Sequence, residues 1–183
     1  MFNGSLTYGE VDMAAFKELL SQADPKEGDV FYDIGSGTGK ALMTAAAFFP
    51  FSKAVGIEIL EVCFFFPSLA YLPYAVKDLH EAASVVIEKG QSALELFACK
   101  NVSAVLHDSF KYDWTDGDVV FAAATCFDDE MMAQYLDKVL KLKSGARIVS
   151  LTRALTHPEL RLAHNRRYKY AKGAINAFVY VRL

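Results

Sequence analysis

Apolar runs and amphipathic stretches alternate along the chain, a pattern that predicts strands alternating with helices. The helical spacing of apolar residues predicts four helices, which begin after Asp12, at Lys40, at Asp78 and at about Asp129. Five short apolar runs predict strands, at residues 30–32, 54–57, 102–106, 119–123 and 147–151. This alternation indicates an α/β fold with a doubly wound, mostly parallel sheet and helices on both faces.

The last part of the chain departs from this alternation. Residues 168–170 and 178–181 are rich in aromatic and β-branched side chains and flank a turn that contains Gly173, which predicts a hairpin. We therefore expect an antiparallel C-terminal edge hairpin on the parallel sheet. The sequence shows no repeat, low-complexity tract or linker, and we expect residues 1–183 to form a single domain.

Composition adds an unusual feature, because 53% of the residues are hydrophobic and the mean hydropathy is +0.18. Much of the excess lies in residues 62–77, which we expect to be an insertion between the second strand and the helix at Asp78. Its uncharged part is 15 residues long and contains Pro67 and Pro73, whereas a membrane-spanning helix needs about 20 apolar residues. We expect no membrane span. A substrate lid, a docking patch and a segment foreign to the functional chain stay open as interpretations.

Charge and cysteine usage limit the partners and the compartment. A net charge of −3 gives no strong nucleic-acid signal. We expect the basic cluster to be a solvated face of the hairpin; its members are Arg161, Arg166, Arg167, Lys169 and Lys172. The three cysteines form no Cys-x-x-Cys pair and the chain begins without a signal-peptide pattern, so we expect an intracellular protein of the cytoplasm or nucleus. The four histidines lack metal-binding spacing, and no metal is expected.

The strongest chemical signal is a glycine-rich turn between the first strand and the second helix. Asp33 is followed by Gly35, Gly37 and Gly39, and Glu58 comes 19 residues after the last glycine, at the end of the second strand. Glycines here allow close backbone approach to a ligand, and a carboxylate after the second strand can accept hydrogen bonds from ribose hydroxyls. The spacing fits neither the dinucleotide fingerprint nor a Walker sequence. It resembles the cofactor site of class I S-adenosylmethionine-dependent methyltransferases, so S-adenosyl-L-methionine is the expected cofactor.

Three further residues are candidates for cofactor contacts. Asp108, at the end of the third strand, is placed to accept a hydrogen bond from the adenine amino group, with Ser109 or Phe110 close to the ring. Lys40, in the first turn of the second helix, is placed to pair with the carboxylate of the cofactor. The alternatives are that Asp108 only caps a turn, that Lys40 is solvated, and that the glycines only form a structural turn.

An ordered series of short motifs resembles a narrower family. The series consists of Tyr8-Gly9-Glu10, Asp33 to Gly39, Gly56-Ile57-Glu58, Asp108-Ser109-Phe110 with Trp114, residues 121–129 (FAAATCFDD) and residues 145–150. It is similar to the catalytic domain of the non-SET histone-lysine methyltransferases of the disruptor-of-telomeric-silencing type, over nearly the whole chain apart from residues 62–77. The resemblance implies a Rossmann-like methyltransferase of the chromatin-regulator kind, with a protein substrate such as histone.

The same resemblance implies roles for individual residues. Tyr8 and Glu10 belong to a loop that folds over the cofactor, which makes Tyr8 a candidate catalytic residue and Glu10 a candidate cofactor ligand. Thr125, Cys126 and Phe127 line the methyl-transfer channel, and Thr125 and Phe127 are the candidate catalytic residues there. The Phe127 ring can favour the methylammonium through a cation–π contact, with plain core packing as the alternative.

One departure from the family leaves other functions open. The family usually has an asparagine in its fourth-strand motif, where this chain has Ala123 or Ala124. Methyl transfer to a small molecule or to a non-histone protein is one alternative, and a degenerate, non-catalytic cofactor-binding module is another. Methyl transfer itself is expected to be an in-line displacement, for which the protein supplies alignment rather than a catalytic triad.

Overall fold

The computed structural model describes residues 12–37, 39–59, 98–99, 101–170 and 173–183. Three helices lie in this part of the chain: α1 (Met13–Ser21), α2 (Lys40–Phe48) and α3 (Asp129–Val139). Seven strands lie in it as well: β1 (Val30–Ile34), β2 (Lys53–Glu58), β3 (Val102–Leu106), β4 (Val119–Ala122), β5 (Arg147–Leu151), β6 (Leu160–Tyr170) and β7 (Gly173–Arg182). A 3₁₀ turn, Ala124–Cys126, connects β4 to α3.

The seven strands form one sheet in the order β3-β2-β1-β4-β5-β7-β6. The first five strands run parallel to one another, whereas β7 runs antiparallel to both β5 and β6. The direction of winding reverses between β1 and β4, and in open α/β sheets the ligand crevice lies at such a reversal, outside the carboxyl ends of the strands. The doubly wound sheet with an antiparallel C-terminal hairpin is thus confirmed, and the candidate site falls at the ends of β1 and β4.

Two apolar clusters cover the two faces of the sheet, because successive side chains of a strand point to opposite sides. In β1, Phe31 belongs to the cluster that contains α1 and α2, and Tyr32 belongs to the cluster that contains α3. Phe16 of α1 packs edge-on against Phe121 of β4, at a ring-centroid distance of 4.7 Å. Tyr135 of α3, fully buried, packs on the opposite face. Helices hold the central strands from both sides, which fixes the positions of the strand ends.

Side-chain caps begin two of the helices. The Asp12 carboxylate accepts a hydrogen bond from the Ala15 N–H at 2.9 Å and so caps α1, the helix predicted to begin after it. Asp128 caps α3 in the same way, through the Met131 N–H at 2.8 Å. Each cap satisfies one of the N–H groups that a helix leaves unpaired in its first turn. The second cap also fixes where the loop after β4 ends.

The strand β6 is much longer than the sequence predicts, since it begins at Leu160 rather than at residue 168. It pairs with β7 along its length, with a bulge between Leu162 and His164. Residues 161–167 are mostly exposed and polar, and the bulge shifts their alternation, so the period-two pattern that predicts a strand is missing. β7 begins at Gly173 rather than at residue 178, so Gly173, predicted to lie in the turn, is the first residue of the strand. The other boundaries move less: β1 extends to Ile34, β2 begins one residue early, and β4 ends one residue early where the chain enters the 3₁₀ turn.

Several expectations lie outside the described residues. These are the apolar segment 62–77, the helix predicted to open at Asp78, and the candidate residues Tyr8 and Glu10. Within the described ranges, no helix is long and apolar enough to cross a membrane.

Candidate active site

The turn between β1 and α2 is fastened to the end of β2. The backbone N–H groups of Gly35 and Ser36 both donate to the Ile57 carbonyl, at 2.9 and 3.0 Å. The Gly37 N–H donates to Oε2 of Glu58 at 2.9 Å. These bonds join two neighbouring parallel strands at their carboxyl ends. The glycine-rich turn therefore forms a fixed rim at the place where open α/β sheets bind ligands.

Two glycines are required here for different reasons. Gly35 has a φ of +71°, which L side chains rarely adopt, and an added Cβ would meet no atom of the described residues within 4 Å, so within this part of the chain the turn borders open space. Gly56 of β2 lies under the turn, where an added Cβ would stand 2.8 Å from Oγ of Ser36 and 2.9 Å from Cδ2 of Leu42. The missing side chain at Gly56 lets the turn lie directly on β2.

The Glu58 carboxylate is oriented by two backbone groups. Its Oε2 accepts from the Gly37 N–H and its Oε1 from the Ile59 N–H, each at 2.9 Å, and the residue is 8% exposed. A carboxylate oxygen can accept more than one hydrogen bond. The position predicted for ribose recognition thus holds a fixed acceptor of the right chemistry for a pair of hydroxyls.

Asp33 lies beneath the turn, inside the core. It is 1% exposed, and its Oδ2 accepts a hydrogen bond from the Leu42 N–H at 3.0 Å. This bond satisfies an N–H group of the first turn of α2, whose N-cap residue, Gly39, has no side chain to do so. Burial, with the nearby charge of Glu58, raises the pKa of Asp33 to about 7 against the opposing effect of the Leu42 N–H. Asp33 therefore supports both the turn and the helix from within.

The loop after β3 places Asp108 next to Glu58 in the sheet edge. The His107 N–H donates to the Glu58 carbonyl at 2.9 Å. Oδ1 of Asp108 accepts from the Phe110 N–H at 2.9 Å, and Oδ2 lies 3.4 Å from Nζ of Lys111. This is the turn-capping arrangement that the sequence left as the alternative for Asp108. The carboxylate remains partly exposed, so a further hydrogen bond to a ligand is compatible with it.

Ser109 and Lys40 also follow strands whose carboxyl ends border the crevice. Ser109 is half-buried, and its carbonyl accepts a hydrogen bond from Nε1 of the buried Trp114 at 2.9 Å. Lys40 is half-buried and is the first residue of α2, directly after Gly39. A cation at this end of a helix opposes the helix dipole, which favours an anion beside it.

The loop after β4 is held by residues that follow β5. Oγ1 of Thr125 lies 2.9 Å from Oγ1 of Thr152, and Nη1 of Arg153 donates to the Phe127 carbonyl at 3.0 Å. The Arg153 guanidinium also pairs with Asp129 at the start of α3. Thr152 has a φ of +70°, an outlier for a β-branched residue, and strain of this kind is concentrated at functional sites. Neither Thr152 nor Arg153 was a candidate from the sequence, where only their place after a predicted parallel strand could have indicated them.

Aromatic rings connect the loop after β3 with the loop after β4. The half-buried Phe127 packs edge-on against Phe110 and Tyr135, at ring-centroid distances of 5.8 and 5.9 Å, and Tyr135 lies 6.1 Å from Trp114. The ammonium of Lys138 lies 5.2 Å from the centre of the Trp114 ring and donates to the Phe110 carbonyl at 3.1 Å. Phe127 therefore makes core contacts on one side, and its role in the methyl-transfer channel stays a prediction.

The described candidates lie at one edge of the sheet, in two adjoining groups. The first group surrounds the ends of β1, β2 and β3: Asp33, Gly35, Gly37, Gly39, Lys40, Glu58, Asp108 and Ser109. The second group, Thr125 and Phe127, follows β4, which is the hydrogen-bonded neighbour of β1. The open space at the turn and the fixed Glu58 carboxylate fit an adenosine-containing cofactor such as S-adenosyl-L-methionine.

The strand order, the glycine-rich turn after β1 and the acidic residue at the end of β2 together define a class I S-adenosylmethionine-dependent methyltransferase. The chain belongs to the family described as "Histone methylation protein DOT1", whose family model matches residues 2–172. S-adenosyl-L-methionine is the methyl donor of this class, as the sequence predicts.

Two similar proteins are named as lysine methyltransferases. A protein-lysine N-methyltransferase of Saccharolobus islandicus is 28% identical over 134 residues, which make up 73% of this chain and 68% of that protein. A histone-lysine N-methyltransferase of Candida albicans, specific for lysine 79 of histone H3, is 29% identical over 151 residues. That match covers 79% of this chain but only 10% of the Candida protein.

Solved structures share the fold. An RNA methyltransferase from Salinibacter ruber, in complex with S-adenosyl-L-homocysteine, superposes with a TM-score of 0.65 and 20% identity, over 94% of this chain and 93% of that one. TrmN from Thermus thermophilus gives a TM-score of 0.64 and 20% identity, over 92% of this chain and 48% of that one. At this level of identity the likeness concerns the fold alone.

Proposed function

We propose that this protein transfers the methyl group of S-adenosyl-L-methionine to the side-chain amine of lysine in a protein substrate, with histone as the first candidate. The family match and the two lysine methyltransferases among the relatives support this proposal. The structural observation that carries it is the position of the loop with Thr125 and Phe127. Because β4 pairs with β1, that loop begins beside the glycine-rich turn, so acceptor and methyl donor would meet at adjoining strand ends.

In this proposal the cofactor lies along the glycine-rich turn. Glu58 accepts hydrogen bonds from the ribose hydroxyls, Asp108 accepts one from the adenine amino group, and Lys40 pairs with the carboxylate. The other members of the cofactor site are Glu10, Gly35, Gly37, Gly39 and Ser109, and Asp33 serves the site by supporting the turn from beneath. When bound, S-adenosyl-L-methionine supplies an activated methyl group on a sulfonium sulfur, so the protein supplies mainly alignment.

The loop after β4 would align the acceptor amine. The amine must arrive deprotonated, with its lone pair directed along the line of displacement. The Thr125 hydroxyl is held 2.9 Å from the Thr152 hydroxyl and can accept a hydrogen bond from the amine, which orients that lone pair. The Phe127 ring, with Tyr8 from the N-terminal loop, excludes water and favours the methylammonium product through cation–π contacts worth about 0.5–2 kcal/mol.

Ala123 and Ala124 stand where the family usually has an asparagine. Ala124 is fully buried, and Ala123 packs against the cluster that contains α1 and α2. In the proposed mechanism the hydroxyl pair of Thr125 and Thr152 takes over the polar contact with the acceptor amine. If this contact does not suffice, the protein binds the cofactor without catalysis, which the experiment below distinguishes.

The proposal is tested by transfer of a labelled methyl group from S-adenosyl-L-methionine to an extract of cellular proteins, followed by acid hydrolysis and amino-acid analysis. We expect the label in Nε-methylated lysine. Glu58→Gln should lower incorporation more than tenfold (about 1.4 kcal/mol), since the new amide nitrogen would face a backbone N–H that now donates to a carboxylate. The matched control is Glu27→Gln, an exposed residue before β1 at the opposite edge of the sheet, which should leave incorporation unchanged.

The alternatives give different results in the same experiment. Label in RNA or in a small molecule would be consistent with a methyltransferase and would show that its acceptor is not lysine. A thermal shift with S-adenosyl-L-homocysteine, without label in any fraction, would support the non-catalytic module. At about 100 times its dissociation constant, a ligand stabilises the folded state by about 2.7 kcal/mol, which is easily detected as a rise in Tm.

A further inference from the structure

Basic residues are distributed unevenly along this chain. Residues 160–183, the part of the chain that includes β6 and β7, contain six of the 19 Lys and Arg residues and no acidic residue. All 22 acidic residues therefore lie before residue 160, so the hairpin is positively charged on a protein whose net charge is −3. An imbalance of this kind attracts an anionic partner to one side of the molecule.

The register of the sheet places one end of the hairpin at the candidate active site. The Thr152 N–H donates to the Asn176 carbonyl at 2.8 Å, and Asn176 of β7 pairs with Arg167 of β6. Thr152 itself contacts Thr125. The four residues Thr125, Thr152, Asn176 and Arg167 thus form a continuous row along the edge of the sheet that carries the crevice.

Arg167 also lies on the same face of the sheet as Phe127. Tyr168 belongs to the cluster that contains α1 and α2, so its neighbour Arg167 points to the other face, where Phe127 packs against the cluster of α3. Two strand spacings of about 4.8 Å separate β5 from β6. With one more spacing to β4, the distance along the sheet from Thr125 to Arg167 is about 15 Å, or about four to five residues of extended peptide.

The charge of Arg167 is uncompensated among the described residues. Arg167 is exposed and forms no ion pair with any residue that the structure describes, whereas its neighbour Arg166 binds Glu18 of α1 at 2.6 Å. Asn165 and Asn176, both exposed, lie beside Arg167 and offer additional hydrogen-bond donors on the same face. An Arg flanked by amide side chains suits carboxylates.

From this arrangement we infer that Arg167 and Asn176 form a docking surface for acidic residues of the substrate protein, about four to five positions from the acceptor lysine. The inference rests on the proposed lysine substrate and narrows it to lysines in an acidic sequence context. The surface raises specificity through electrostatic complementarity, so it acts on capture of the substrate and not on the methyl-transfer step.

The test compares two peptides, each with a single lysine. They differ only about four to five positions from that lysine, where one peptide has aspartate and the other has asparagine. With saturating S-adenosyl-L-methionine, the wild-type protein should favour the acidic peptide by about five- to tenfold in kcat/KM, mainly through KM. Arg167→Glu should abolish or reverse this preference. The matched control is Arg161→Glu, which changes an equally exposed arginine without a described ion pair at the far end of the same strand, and which should retain the preference.

Three results would overturn the inference: equal kcat/KM for the two peptides, an unchanged preference in Arg167→Glu, or an equal loss in Arg161→Glu. A labelled single-stranded oligonucleotide is titrated in parallel by fluorescence anisotropy. If Arg167→Glu abolishes binding of the oligonucleotide and leaves the peptide preference intact, the surface binds nucleic acid and the inference is wrong.

Failure of the proposed function is recognised separately. If neither peptide is methylated, binding of the two labelled peptides is measured by anisotropy in the presence of S-adenosyl-L-homocysteine. Tighter binding of the acidic peptide that depends on Arg167 would then support the docking surface while the lysine acceptor fails. Equal binding of both peptides would overturn the docking surface as well.

Discussion

The hydroxyl oxygens of Thr125 and Thr152 lie 2.9 Å apart, which joins the loop after β4 to the loop after β5. Thr152 has a φ of +70°, a conformation that costs a β-branched residue about 1–3 kcal/mol. Its N–H donates to the Asn176 carbonyl at 2.8 Å, so the surrounding sheet holds the strained residue in place. The strained backbone and the hydroxyl contact therefore occur at the same residue, beside the proposed acceptor site.

Thr152→Gly is expected to separate stability from activity. Glycine adopts a positive φ without strain, so Tm should stay the same or rise by a few degrees even though a hydrogen bond is lost. Methyl transfer should fall about tenfold, because Thr125 loses the partner that orients it. Thr152→Val, which keeps the strain and lacks the hydroxyl, should lower both. Thermal melts and kcat of the two variants check this, and a Tm for Thr152→Gly that falls as far as that of Thr152→Val would contradict a strained Thr152.

Arg153 is expected to be a positioning residue for the loop after β4. It donates to the Phe127 carbonyl at 3.0 Å and pairs with Asp129, so Arg153→Ala should let Phe127 move. We expect kcat to fall about ten- to a hundredfold while the affinity for S-adenosyl-L-homocysteine is unchanged. Arg153→Lys should recover part of the activity, since it keeps the charge and one donor.

The fluorescence of Trp114 is expected to report the same movement of Phe127 in Arg153→Ala. Trp114 is the only tryptophan of the chain, is fully buried, and contacts Phe127 through Tyr135. Release of Phe127 in Arg153→Ala should raise quenching of the Trp114 fluorescence by acrylamide, and Arg161→Ala should not. Reduced kcat together with equally reduced affinity for S-adenosyl-L-homocysteine would instead indicate general unfolding of the site.

Gly56→Ala tests how closely the glycine-rich turn packs on β2, since Ser36 of the turn lies directly over Gly56. The new Cβ would stand 2.8 Å from Cβ and Oγ of Ser36, so we expect a loss of about 1–3 kcal/mol in the free energy of unfolding and weaker cofactor binding. Ser36→Gly removes both of these Ser36 atoms and should rescue part of the loss in the double variant. Urea denaturation of the two single variants and the double variant measures the coupling. Additive effects would show that Ser36 is not the group in the way.

The strands were predictable where a short apolar run marks them in the sequence. β3 and β5 have the predicted bounds, and the mostly parallel sheet with an antiparallel hairpin follows from the alternation of strands and helices. The position of β7 between β5 and β6 does not follow from it. Only the last residues of β6 were predictable from the sequence, because an exposed edge strand needs no apolar face. The bulge between Leu162 and His164 also shifts the alternation of apolar and polar residues along the strand.

The candidate site shows the same division. Glu58 and the glycine-rich turn are close in space because parallel strands end at one edge, and this follows from the sequence motif. The inward position of Asp33 and the bond from Arg153 to Phe127 depend on packing between distant segments, for which a single sequence carries no local pattern.

The buried carboxyl of Asp33 predicts a specific pH dependence of stability. Its pKa is raised by burial from an ordinary value of 3.8 to about 7, so the folded state retains a proton that the unfolded state releases. The stabilising contribution is complete below about pH 4 and is lost as the pH rises to about 7, by up to about 4 kcal/mol. Asp33→Asn keeps an acceptor for the Leu42 N–H and should become the more stable protein above pH 7, by urea denaturation across this range. Asp137→Asn, on the exposed face of α3, is the control, and a difference from wild type that is constant with pH would show that Asp33 is ionised throughout.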